Sequence, residues 1–164
     1  MYERELLALA DSGARYLVIG AVAMGLNKYP RATFDLDIFP DLERNNLEKI
    51  IITLKQLGYK PKIPVNLNEL LDAEKRKEWN EKRNMKVFSF FNAKRPSDIV
   101  DLMIYEPINF NECFNRKKIV KLKGKPVYVA SIGDLLKMKE KAGRKRDLMD
   151  IKILKRIKEI ENER

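Results

Sequence analysis

Residues 16–39 read YLVIGAVAMGLNKYPRATFDLDIF, and the fold turns on how this stretch is parsed. Tyr16 to Ile19 is a short, wholly apolar run, as expected for a strand buried on both faces. Gly20 follows at once, and Ala21 to about Asn27 then continues in Ala, Val, Met and Gly, a small-residue helix suited to close packing on a sheet. A glycine at a strand-to-helix junction lets the backbone approach a bound group, and the first helical N–H groups are free to meet an anion. After the Pro30 turn, a second strand carries Asp35 and Asp37 among Phe34, Leu36 and Ile38. With a side-chain period of two, the three apolar residues face a core and the two aspartates share the other face. Two adjacent acids repel unless a cation lies between them, and a divalent metal held by oxygen fills that role. The same pattern also suits two solvated positions on an amphipathic strand.

Working outward, the neighbouring segments suggest a sheet flanked by helices. Residues 3–12 read as a short helix, with Leu6, Leu7 and Ala10 on one side. Asp41 can cap a long helix bearing Leu42, Leu47, Ile50, Ile51, Leu54 and Leu57, which Gly58 ends. Tyr59–Ile63 reads as a short strand, and Asn68 as the cap of a helix over 69–82 with Leu70, Leu71 and Trp79 inward. Met85–Phe91 and Ile99–Ile104 read as adjacent strands around the Arg95-Pro96-Ser97 turn. Asp101 interrupts the second of these. A carboxylate inside a strand that should be buried requires a partner, either a lysine or a bound cation. Downstream come a helical turn near 107–115, a hairpin turning at Lys123-Gly124, and a helix capped by Ser131 with Asp134 three residues on. A last helix starts from about Lys145 and turns Leu148, Ile151, Leu154 and Ile157 inward. The fold class expected is α/β (α+β), a mixed central sheet flanked by helices. One domain spans 1–164, with a core at 1–105 and a basic hairpin and helices at 106–164.

Composition narrows the chemistry. The chain has 164 residues, no histidine and a single cysteine, Cys113. These counts exclude imidazole acid–base catalysis, histidine-zinc sites and any disulfide within the chain. Carboxylates, Lys, Arg, Tyr or a hard metal must carry any reaction. No G-x-G-x-x-G or G-x-x-x-x-G-K-[ST] signature is present. The sequence shows no membrane-spanning run and no cleavable leader pattern at MYERELLALADSGA, so the expected location is cytoplasmic. Its richness in Lys, Glu and Ile resembles thermophile composition.

The net charge of +10 is segregated. Residues 1–115 carry 17 basic and 17 acidic side chains, whereas 116–164 carry the other 17 basic and only 7 acidic. This asymmetry fits a polyanion partner such as RNA, and equally a solvated lysine-rich helix face.

Taken together, Gly20-Ala21, Asp35-x-Asp37 and the later Asp101 resemble the DNA polymerase beta-type nucleotidyltransferase superfamily. PRATFDLDIF and LLKMKEKAGRKRDLMDIKIL are especially similar to its small prokaryotic members related to abortive-infection toxins. Within the second string, Lys139, Arg144, Asp147 and Asp150 fall where that group carries a Lys and an Arg-x-x-Asp-x-x-Asp motif. The resemblance spans 16–154. It implies transfer of a nucleoside monophosphate from an NTP to an RNA, protein or small-molecule acceptor, with Mg²⁺ or Mn²⁺ held by Asp35, Asp37 and Asp101. It further implies that Gly20 and the Ala21 amide meet the β- or γ-phosphate and that Lys139 reaches the phosphates. Arg31, Thr33, Arg144 and Asp147 are candidates for nucleotide contacts. Arg31 also reads as a surface ion pair, Thr33 as a turn residue, and Arg144 with Asp147 as an ion pair tying the last two helices. Where the family usually has Gly or Ser, this chain has Ala21. The alternative is a non-enzymatic nucleic-acid-binding or antitoxin-like module on the same fold.

Overall fold

The computed structural model describes residues 1–162. A seven-stranded mixed sheet in the order β3-β4-β5-β2-β1-β7-β6 organises these residues. In chain order the elements are α1 (Glu3–Ser12), β1 (Tyr16–Ile19), α2 (Gly20–Leu26), β2 (Asp35–Pro40), α3 (Arg44–Gln56), β3 (Tyr59–Pro61), α4 (Leu67–Leu71) and α5 (Ala73–Arg83). They continue with β4 (Val87–Asn92), β5 (Ile99–Met103), α6 (Phe110–Asn115), β6 (Lys118–Leu122), β7 (Lys125–Val129), α7 (Ile132–Ala142) and α8 (Leu148–Asn162). A 3-10 turn over Lys145–Asp147 joins the last two helices.

The centre of the sheet is where the two acid-bearing strands meet. Strand β2 runs antiparallel to β1 and parallel to β5, with Asp37 opposite Asp101 and Asp35 opposite Ile99. All four β1 residues are buried, as their unbroken apolar run predicts. On β2, Leu36 and Ile38 enter the core at 0% and 1% exposure, and Asp35 and Asp37 lie on the opposite face. The β4–β5 pairing repeats the division: Phe88, Phe90, Val100 and Leu102 are buried while Ser89 and Asp101 face the other way. Between β6 and β7, Lys123 and Gly124 both adopt positive φ, at 48° and 79°, as a two-residue hairpin turn requires.

Several boundaries differ from the sequence-based reading. Phe34 does not face the core but is 79% exposed, because β2 begins one residue later and the alternation starts at Asp35. Glu43, not Asp41, caps α3 by accepting from the Asn45 and Asn46 amides; Asp41 is engaged by Arg15 at 2.5 Å. The single helix expected over 69–82 is two, capped by Asn66 and by Asp72, whose extended backbone breaks the path between them. Leu148 is 58% exposed, since α8 turns Leu154 and Ile157 inward instead. Cys113 is buried, in keeping with a structural thiol. Among the described residues no helix is long and apolar enough to cross a membrane.

Candidate active site

Asp35, Asp37 and Asp101 converge at the exposed face of the β2–β5 pair. One carboxylate oxygen from each lies within 4.8 Å of the others. The parallel register makes this possible, because it puts Asp37 beside Asp101 while Asp35 follows two residues along the same face. Burial, and after it the negative charges of Asp101 and Asp35, push the Asp37 carboxyl up to about 7, against the opposing pull of Lys139 and Arg144. Burial is also the main cause that raises Asp101, although the Ser89 hydroxyl, donating to Asp101 Oδ1 at 2.5 Å, favours its charged form. Three carboxylates drawn together and held at this cost of repulsion form an oxygen-only donor set, the kind that a hard divalent cation prefers. The residues present therefore fit Mg²⁺ or Mn²⁺.

Gly20 supports this cluster from the side. Its φ of 68° is a left-handed conformation, and a β-carbon built there would fall inside the Asp37 carboxylate. The sequence suggests that Gly20 makes room for a bound group, and the group against it here is Asp37 itself. Ala21 is the next residue of α2 and lines the same cleft.

This cleft, of about 950 Å³, runs over the acids, and its wall is strongly cationic. Lys139 Nζ lies 3.0 Å from Asp150 Oδ2 and 3.4 Å from Asp147 Oδ1. Arg144 Nε bonds Asp147 Oδ2 at 2.7 Å. Burial alone would raise Asp147, yet its bonds to Arg144 and the nearby Lys139 hold it below the usual carboxylate range. Across the mouth, Arg31 Nη1 approaches Asp150 Oδ1 at 2.7 Å, at an angle that leaves this buried oxygen without a well-formed hydrogen bond. Thr33 lines the cleft as well, but its hydroxyl is a turn group, bonded to the Asp35 carbonyl at 3.1 Å. The residues singled out from the sequence, Asp150 among them, thus all line one cleft. Others escaped that reading, among them Lys86, Val87, Met103 and Tyr105 in the lining and Ser89, which bonds Asp101. Ser89 is legible in hindsight as the polar residue between Phe88 and Phe90, whereas nothing local marks Lys86, which precedes β4, its carbonyl accepting from the Ile104 amide.

No protein-family model and no curated protein matches the chain. A solved structure does: a provisionally named nucleotidyltransferase from Thermotoga maritima, at 16% identity and a TM-score of 0.55, over 99% of this chain and 94% of that one. The fold is nucleotidyltransferase-like. At this identity the likeness concerns the fold, and the chemistry of a nucleotidyltransferase-like cleft in this chain rests on its own acids. The triad itself is a group of carboxylates that could hold a metal ion.

Proposed function

We propose that the protein transfers a nucleoside monophosphate from an NTP to an acceptor hydroxyl, using Mg²⁺ or Mn²⁺ held by Asp35, Asp37 and Asp101. The observation that carries this reading is the convergence of three carboxylates within 4.8 Å beneath a cationic wall. When bound, the metal would neutralise the triphosphate and stabilise the pyrophosphate leaving group. The protein's own groups account for the rest. Lys139, Arg31 and Arg144 offer positive charge to the β- and γ-phosphates, for which Asp147 and Asp150 now stand as anionic partners. Gly20 and the Ala21 amide border the same end of the cleft. The acceptor oxygen forms a bond to the α-phosphorus as the bond to pyrophosphate breaks, and its proton passes to Asp101. Ser89 donates to Asp101 Oδ1 and holds that carboxylate in place beside the acceptor.

An RNA acceptor would suit the surplus of positive charge in 116–164, and a toxin-like role is suggested by the resemblance alone. The test is calorimetric titration of Mg²⁺ with each NTP, followed by incubation with labelled NTPs and total cellular RNA and protein. Metal-dependent NTP binding that disappears in Asp35→Ala, with label transferred to one acceptor class, is the expected result. Equal binding by the variant would remove the metal site. RNA binding that persists without metal and without label transfer would instead identify a non-enzymatic binding module.

A further inference from the structure

The face of the sheet that bears the acids also carries an apolar floor. In the β4–β5 ladder Ser89 pairs with Asp101, and two residues further along the same face Val87 pairs with Met103. The side-chain period of two puts this second pair about 7 Å from the first. The core lies on the other face, where Phe88 and Leu102 are each 0% exposed. Val87, in contrast, is 36% exposed and Met103 is half-buried, and both line the cleft. Val87 lies outside the hydrophobic core, whereas Met103 packs against it and also lines the cleft. Beyond them stands Tyr105, which also lines the cleft, with Lys86 Nζ 4.7 Å from the centre of its ring.

This floor lies at the opposite end of the triad from Arg31 and Thr33. Those residues precede Asp35 at the start of β2, whereas Met103 closes β5 and Val87 opens its antiparallel neighbour. The two ends differ in chemistry. The Arg31 end is polar, whereas the other presents an apolar surface and an aromatic ring, with Lys86 over the ring, Lys141 bonded to the Pro107 carbonyl and the Arg144 charge near Tyr105.

The geometry points to Val87, Met103 and Tyr105 as the subsite for the nucleoside half of the NTP. This inference rests on the nucleotidyl-transfer reading above. A triphosphate with its β- and γ-phosphates at the Arg31 end and its α-phosphate over the acids must direct its ribose and base toward the other end. The base brings a flat apolar face, which gains from contact with Val87, Met103 and the Tyr105 ring. The α-phosphate remains near Asp101, where the acceptor proton is taken.

The experiment compares ATP with inorganic tripolyphosphate, which has the phosphates and no nucleoside, in calorimetric titrations with Mg²⁺. The variant is the double substitution Val87→Ser, Met103→Ser, with its thermal melt as the folding control. The single Tyr105→Ala variant is a second and separate probe. The expected result is a loss of about tenfold in ATP affinity, with tripolyphosphate affinity unchanged. Unchanged ATP affinity in both variants overturns the subsite. So does unchanged ATP binding with loss of transfer to the acceptor, which would give this floor to the acceptor. If both ligands weaken equally, the substitutions have disturbed the acids and the subsite is refuted as stated. Failure of the wild-type protein to bind tripolyphosphate or any of the four NTPs with Mg²⁺ refutes the transfer reading itself, and the subsite with it.

Discussion

The two sides of the cleft handle charge in opposite ways. On the sheet side, Asp35, Asp37 and Asp101 crowd like charges together, and burial and repulsion raise Asp37 to about 7. On the helix side, Asp147 and Asp150 are also shielded from solvent yet paired, and Arg144 and Lys139 keep Asp147 ionised. Burial alone therefore does not distinguish a candidate reactive carboxylate from a structural one. The sign of the neighbouring charge does. Strain concentrates on the side whose acids form no ion pair, where a ligand can relieve it, while the paired side holds the helices in place.

Asp37→Asn tests this contrast most severely. Transfer should fall about 10³-fold, because several kcal/mol of charge stabilisation leave with the ligand. Without metal the variant should nonetheless melt at a higher temperature than the wild type, since one repelling charge has gone. A lower melting temperature would show that Asp37 is structural. Asp147→Asn should do the reverse. Breaking its contacts with Arg144 and Lys139 should cost about 2 kcal/mol in denaturant unfolding, the lower side of what buried pairs give, because Arg144 is half exposed.

A pH series sharpens the same comparison with smaller effects. Asp37 binds its proton more tightly folded than unfolded, so the metal-free protein should lose stability as pH rises from about 4 to 7, and Asp101 contributes in the same direction. Asp147, with its lowered pKa, contributes stability at higher pH that is lost as pH falls below about 4. Millimolar Mg²⁺ should flatten the decline between pH 4 and 7 in thermal melts and release protons on binding, more at pH 6 than at pH 8. A melting profile unchanged by Mg²⁺ would separate the triad from metal binding.

Much of this site is legible locally. The alternation in DLDIF puts Leu36 and Ile38 in the core and both aspartates on the other face, and Gly20 stands out at a strand-to-helix junction. Asp101 is conspicuous as an acid within IVDLMI. Local pattern failed where the backbone direction changed for reasons beyond the segment. Phe34 looks like the first inward residue of β2, but the loop before it has not yet joined the sheet. Asp72 breaks an apparently continuous helix because its side chain caps α5, accepting from the Glu74 and Lys75 amides.

Residues 16–39 by themselves determined a strand, a glycine junction, a small-residue helix and two acids on one face, because φ/ψ preferences and side-chain periodicity act over a few neighbours. That Asp101 completes the cluster was decided by the parallel β2–β5 register, which joins residues more than sixty positions apart. The same holds for Gly20. Its sequence context shows that a side chain is unwelcome, but only the antiparallel pairing of Ile19 with Asp37 reveals which group requires the space. Register across a sheet is set by pairing energy summed over whole strands, and no single segment contains that information.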